Sequence, residues 1–248
     1  MVFIPALLTF GFIPFAPGAA VLNVDIGLLA IVAVGALGVV PIFMAGWASN
    51  NKYSLLGAMR SIAQTVSYEI PLVLSLVGIV LAAGSLKMED IVVYQIQSGW
   101  FLFLQPLSAV VFFIAASAEL NRTPTDIMEG ESELAAGYHT EYSGFKFSLF
   151  YATEYTHTFA VSALISTLFL GGWASPIDAP VFNWIPGFFW LLIKVFLLLS
   201  VFIWLRASFP RYRYDQIMRL GWKIFIPLTV GWLIIVAIWL VSPWNIWK

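Results

Sequence analysis

Seven runs of largely apolar residues, each close to the length of a membrane span, partition this chain. A helix rising 1.5 Å per residue needs about 20 apolar residues to cross a bilayer. The runs fall at roughly 2–22, 27–48, 61–81, 100–118, 145–172, 184–205 and 224–243. The first is interrupted by Pro5, Pro14 and Pro17 and is the weakest, and the second holds Pro41. Gly and Pro are tolerated in such helices because neighbouring segments satisfy the freed backbone groups. A polar link, Asn50-Asn51-Lys52-Tyr53, leads through a short amphipathic piece to Arg60 and the third run. The pattern predicts an all-α, polytopic transmembrane helix bundle of about seven spans. It forms one transmembrane domain over 1–248, with cytoplasmic loops at about 49–60, 119–144 and 206–223.

Only 10% of the residues are charged and 61% are hydrophobic, against about 25% charged in soluble domains. The polar stretches are too short to hide a second, soluble domain. A net charge of −1 argues against nucleic-acid binding, which wants a basic face. With no cysteine there is no disulfide, thiolate-held iron–sulfur cluster or cysteine zinc site. The two histidines, His139 and His157, are not the paired inward ligands that a haem wants, and no metal site is expected. Phosphate-loop, GxGxxG, GxSxG and HExxH patterns are missing, so no bond-making chemistry by this chain alone is expected. The first run begins at Val2 with no basic lead or small-residue cleavage site, which does not read as a cleavable signal peptide.

The basic residues orient the bundle. With the N-terminus in the cytoplasm, Lys52, Arg60, Arg122, Lys146, Arg206, Arg211, Arg213, Arg219 and Lys223 all fall inside, and only Lys87 and Lys248 fall outside. Lys194 lies within the sixth run. This is a positive-inside bias.

Between the fourth and fifth runs lies ELNRTPTDIMEGESELAAGYHTEYSG, residues 119–144. It holds six of the thirteen carboxylates: Glu119, Asp126, Glu129, Glu131, Glu133 and Glu141. On a helical turn Asp126, Glu129 and Glu133 share one side, with Glu131 pointing elsewhere. Carboxylates this close titrate as a coupled group, which suits the holding and releasing of protons. An ordinary solvated acidic loop is the plainer alternative.

Two further carboxylates sit part-way down spans, Glu69 in SYEIPLVLSLVG and Glu154 in YATEYTH. Apolar surroundings disfavour the ionised form, which makes each a candidate for proton uptake near neutral pH. Tyr151, Glu154 and His157, at a spacing of three, share a helix face and put a phenol, a carboxyl and an imidazole in one row. A polar cluster that only locks helix packing is the alternative. Lys194 must pair, snorkel or stay neutral, and a carboxylate on a neighbouring helix is its expected partner. The basic loop 206–223 reads as a cytoplasmic stop signal, or as a dock for a soluble partner or anionic lipid.

Three blocks carry a resemblance: AELNRTPTDIMEGESELAAGYHTEYSG, WASNNKYSLLGAMRSIAQTVSYEIPL and LRASFPRYRYDQIMRLGWK. Together they resemble the H-subunit family, which supplies a membrane subunit of respiratory complex I, NADH:quinone oxidoreductase. The likeness runs in order over nearly the whole chain. It implies a translocase component of the respiratory chain that anchors the peripheral arm, helps form the quinone cavity and begins an acidic proton path. The path residues it implies are Glu69, Asp126, Glu129, Glu131, Glu133, Glu141 and Glu154. Loop 119–144, with Glu119, Arg122, Asp126, Tyr138 and His139, is implied to line the quinone cavity. Quinone is then substrate, this chain binds no cofactor, and NADH, FMN and iron–sulfur clusters belong to partner subunits. Those partners are the peripheral iron–sulfur and quinone-site subunits and the antiporter-like membrane subunits, with lipid around them.

The pattern also departs from the family. Members usually have eight spans, and the difference corresponds to a first helix and the basic amphipathic segment after it, which help form the quinone entrance. The loop reads NRTPTDIMEGES where the family more often has NRxPFDLPEAES, so Thr125 stands for an aromatic residue and Met128 for a proline. The expected setting is a bacterial inner membrane. The equivalent component of a membrane-bound hydrogenase or of a dehydrogenase fed by another donor is an alternative reading. A stand-alone proton or cation transporter is another.

Overall fold

A computed structural model describes residues 3–126, 137–176 and 184–242. Eleven α-helices run in chain order through these residues. They are α1 Phe3–Phe12, α2 Gly27–Ala36, α3 Val39–Ala48, α4 Lys52–Ala83, α5 Met88–Ser98, α6 Phe101–Leu104 and α7 Pro106–Glu119. After these come α8 Gly144–Phe169, α9 Gly187–Ser208, α10 Tyr214–Leu220 and α11 Ile226–Val241. A single 3₁₀ turn, Gly137–His139, precedes α8, and a π turn, Gly221–Phe225, joins α10 to α11.

All seven apolar runs carry helix, and the protein is an integral membrane helix bundle. Among the described residues four helical stretches are long and apolar enough to cross a membrane: Gly27–Ala48, Lys52–Ala83, Gly187–Ser208 and Tyr214–Val241. The 26-residue α8 is long enough as well, but its serines and threonines, with Glu154 and His157, give it an interior role. Its C-terminal half is almost wholly buried. Large apolar side chains such as Ile203, Trp204, Ile235 and Ile238 stay exposed, as expected of surfaces that meet lipid or neighbouring subunits rather than water.

Several boundaries differ from the sequence reading: the helix of the first run stops at Phe12, and the second run holds two helices, α2 and α3, that part at Leu37 and Gly38. The amphipathic piece before Arg60 is not separate from the third run, because α4 starts at Lys52 and continues as one helix. The Asn51 side chain accepts a hydrogen bond from the Tyr53 N–H at 3.0 Å and caps this start. The fourth run is not one helix either. It is broken at Gln105, which precedes Pro106, and α7 begins there.

The longest helix, α4, is the axis of the bundle and packs against α3, α5, α7, α10 and α11. Pro71 inside it removes one backbone hydrogen bond just beyond Glu69. Buried amides pin the neighbours. The Gln105 Nε2 donates to the Gly78 carbonyl at 2.9 Å, and the Gln64 Nε2 donates to the carbonyls of Ala118 and Thr125 at 2.7 and 2.8 Å. Helix α8 packs on α1, α5, α7 and α9, closing the other half of the bundle.

Alternation of the helices gathers the ends of α3, α7 and α9 with the starts of α4, α8 and α10. Hydrogen bonds across this end confirm the arrangement, from Ser54 Oγ to the Tyr138 carbonyl at 2.8 Å and from the Tyr212 N–H to the Pro124 carbonyl at 3.0 Å. At the opposite end the Leu28 N–H donates to the Leu86 carbonyl at 3.0 Å.

Candidate functional site

The site begins where α7 stops. Asn121 follows the cap residue with φ +50°, a left-handed conformation that asparagine tolerates and that ends a helix. The chain turns back at this point, leaving Glu119 facing inward and Arg122 facing α8. Gln64 on α4 holds the turn in place through the two carbonyl bonds already described.

Two cavities lie behind this turn. The outer one, about 90 Å³, is lined by Glu119, Asn121, Tyr138, Thr153, Glu154 and His157 among others. The inner one, about 40 Å³, is bounded by Glu69, Glu119 and His157 against the apolar side chains of Ile31, Leu72, Phe112 and Leu164. Thr9, Gly35, Glu119 and His157 belong to both walls. A water molecule needs about 10–15 Å³ of such space and a few polar partners, and both cavities meet that condition. Glu154, about 15 Å along α8 from its start at 1.5 Å per residue, is thereby linked through Glu119 and His157 to Glu69.

An apolar groove of about 450 Å³ runs beside the same turn, walled by Phe159, Phe196, Leu199 and Phe202, with Arg122 and Arg206 at its polar end. Arg122 connects groove and cavity. Its Nη2 donates to the Glu154 Oε2 at 3.4 Å, and its guanidinium lies 4.3 Å from the Tyr155 ring centroid.

The remaining expected site residues are placed as follows. Asp126 is buried and accepts from the Arg211 Nη2 at 2.8 Å, which ties the acidic stretch to the basic loop. Tyr138 lines the outer cavity. His139 is buried in an aromatic cluster with Tyr138, Phe147 and Tyr151. Tyr151 belongs to that cluster, whereas Glu154 and His157, the other two members of the row, line the outer cavity. Glu141 is exposed, lines neither cavity and accepts from the Asn51 Nδ2 at 2.9 Å. Glu129, Glu131 and Glu133 lie outside the described residues.

Lys194 corrects one expectation. Among the described residues its ammonium pairs with no carboxylate. It donates to the carbonyls of Leu170, Gly172 and Ala174 at 2.6, 2.9 and 2.7 Å and lies 5.0 Å from the Trp100 ring centroid. The reason is local: α8 ends at Phe169, and the carbonyls at and beyond a helix C-terminus attract a cation. Sequence reasoning also missed Gln64 and Gly35. A glutamine in the apolar setting of α4 was a signal for the first, and nothing in the local pattern marked the second.

The fold and the site define a polytopic membrane protein in which three carboxylates, Glu69, Glu119 and Glu154, line internal cavities. Comparison with known proteins then gives the family: the model described as NADH dehydrogenase matches residues 1–237, and the chain belongs to that family. Similar proteins include the H subunit of the NADH-quinone oxidoreductase of Ralstonia pickettii, 60% identical over 100% of this chain and 73% of that protein. Its counterpart in Cupriavidus necator is 54% identical over the same shares, and that of Bordetella avium is 53% identical over 98% of this chain and 71% of that protein.

Proposed function

We propose that this chain is a membrane subunit of a proton-translocating NADH-quinone oxidoreductase and that it couples quinone reduction to proton movement. Family membership and the names of the relatives support the complex. The nine cations at one end of the bundle support placing that end, with segments 49–60, 119–144 and 206–223, in the cytoplasm. The start of the sequence then lies on the same side. The membrane is a bacterial inner membrane. The peripheral iron–sulfur and quinone-site subunits dock on this charged end, and antiporter-like subunits adjoin the bundle within the lipid. FMN and the iron–sulfur clusters sit in those partners.

The observation that carries the reading is an unbroken order of groups: apolar groove, Arg122, Glu154, outer cavity, Glu119, inner cavity, Glu69. The groove suits the apolar chain of a quinone, whose headgroup reaches mainly to a soluble subunit. Asp126, Tyr138 and His139 shape the turn beside it. Two electrons and two protons convert quinone to quinol, and an electron that arrives ahead of its proton adds negative charge near Arg122. The guanidinium then shares its charge with the quinone, Glu154 loses part of its counter-ion and takes up a proton, and the change passes to Glu119 and Glu69. Close carboxylates along one cavity titrate together, so a proton gained at one displaces a proton at the next.

Glu69→Gln and Glu154→Gln test this in the whole complex. NADH-driven acidification of inverted membrane vesicles is expected to fall while the complex still assembles. Wild-type turnover and pumping in both variants would reject the reading.

A further inference from the structure

The proton path through carboxylates alone has a narrow point. Glu154 lines only the outer cavity and Glu69 only the inner one. Of the four residues shared by both walls, Gly35 has no side chain, and the Thr9 hydroxyl already donates to the Pro5 carbonyl on its own helix at 3.0 Å. That leaves Glu119 from α7 and His157 from α8 to carry a proton across the boundary. His157 lies one helical turn beyond Glu154, a spacing that brings the Cβ atoms within about 5–6 Å. An imidazole can accept a proton at one ring nitrogen and release one from the other without turning over. A carboxyl hands a proton on less directly.

Resting on the function proposed above, we infer that His157 is a proton-relay residue that links Glu154 in the outer cavity to Glu119 and Glu69 in the inner one. Among the described residues, the titratable groups that face this space are Glu69 from α4, Glu119 from α7, Glu154 from α8 itself and Tyr138 from the 3₁₀ turn, with Thr9, Thr65, Asn121 and Thr153 as polar neighbours. Arg122 adjoins them as a cation, held on the far side of Glu154 by their ion pair. His157 is therefore the basic group in a ring of acids, where it can alternate between accepting from one carboxyl and donating to the next. A histidine present only for packing would need shape and hydrogen bonding but no exchangeable charge.

The test uses the whole complex in inverted membrane vesicles and compares His157→Gln with His157→Glu, with Glu69→Gln and Glu154→Gln alongside. Reduction of an artificial acceptor that bypasses quinone reports assembly, and NADH-driven acidification reports the path. His157→Gln keeps hydrogen bonding but has no titrating proton. It is expected to retain acceptor reduction and lose acidification about tenfold, less than the ~100-fold typical of general acid–base groups because cavity water can substitute. His157→Glu restores a titrating group and is expected to recover most of the wild-type rate. Full acidification in His157→Gln while Glu154→Gln fails overturns the relay and leaves the carboxylate path standing. Poor acidification in both His157 variants, with Glu no better than Gln, makes the residue a packing element and also overturns it. Full acidification in the Gln variants of Glu69, Glu154 and His157 alike rejects the path and the relay with it. Where His157→Gln does not assemble, His157→Asn makes the same comparison with Glu.

Discussion

The Arg122 guanidinium joins the Glu154 carboxylate at 3.4 Å, bridging the loop after α7 to the middle of α8. Both side chains are largely covered, 15% and 28% exposed, and the pair is a polar contact between the apolar groove and the acidic cavity, beside Leu120, which lines both. Replacing Arg122 by Gln is expected to lower stability by about 1 kcal/mol at most, because partly exposed pairs contribute ~0–1 kcal/mol. Coupled pumping is expected to fall by about tenfold, equivalent to 1.4 kcal/mol in the barrier. Arg122→Lys restores the charge but not the flat contact with Tyr155 and is expected to recover little. Thermal unfolding in detergent and vesicle acidification, measured on the same preparations, separate the two effects.

Arg211 and Asp126, 2.8 Å apart, hold the loop after α9 to the loop after α7. The Asp126 side chain is 9% exposed and that of Arg211 is 35% exposed, so solvent screens one partner and not the other. Arg211→Ala leaves a buried carboxylate without its guanidinium. The expected loss is about 1–3 kcal/mol, between the values for exposed and buried pairs. Less of the chain should co-purify with soluble subunits if, as proposed, they dock on the end that carries both loops. Asp126→Asn removes the charge that needs a partner and is expected to lose less.

How far the sequence reached depended on the kind of signal involved. Apolar run length is a one-dimensional property, so the helices in all seven runs were legible, and Glu69 and Glu154 stood out as charges in apolar surroundings. The meeting of Glu69 with Glu119 was not legible, because it depends on how α4 and α7 cross. The same holds for Arg122 with Glu154, on segments 32 residues apart. The row Tyr151, Glu154, His157 was read as one unit from its spacing, yet the bundle divides it: Tyr151 turns to the His139 cluster and the other two to the cavity. Helix periodicity fixes a face but not what that face meets. Lys194 makes the same point, since a lone intramembrane cation suggests a carboxylate, and only the position of the α8 terminus reveals three carbonyls instead.

Gly35 offers a way to close the track without removing any ionisable group. It lines both cavities, and a Cβ placed on it would stand 3.4 Å from the Glu119 Oε1, an ordinary contact. Gly35→Ala is therefore expected to be nearly silent. Gly35→Leu sends a branched side chain into the space that both cavities share, where overpacking costs about 1–3 kcal/mol. Acidification is expected to drop sharply in the Leu variant while acceptor reduction persists. Equal pumping in the Ala and Leu variants would mean that protons do not pass this point.

Lys194 gives the contrasting case, a buried charge whose role is architectural. Its three carbonyl acceptors follow the C-terminus of α8, and Trp100 covers the ammonium from the side. Hydrogen bonds from a charged group contribute about 1.5–3 kcal/mol, and the carbonyls left behind would be buried without a donor. Lys194→Met keeps the length and apolar stem but none of the donors, so it is expected to cost about 2–4 kcal/mol. It should lower the unfolding temperature and the yield of assembled complex. Complexes that do assemble are expected to pump at the wild-type rate, because Lys194 lines neither cavity. Loss of pumping at full assembly would instead place Lys194 among the proton-handling groups.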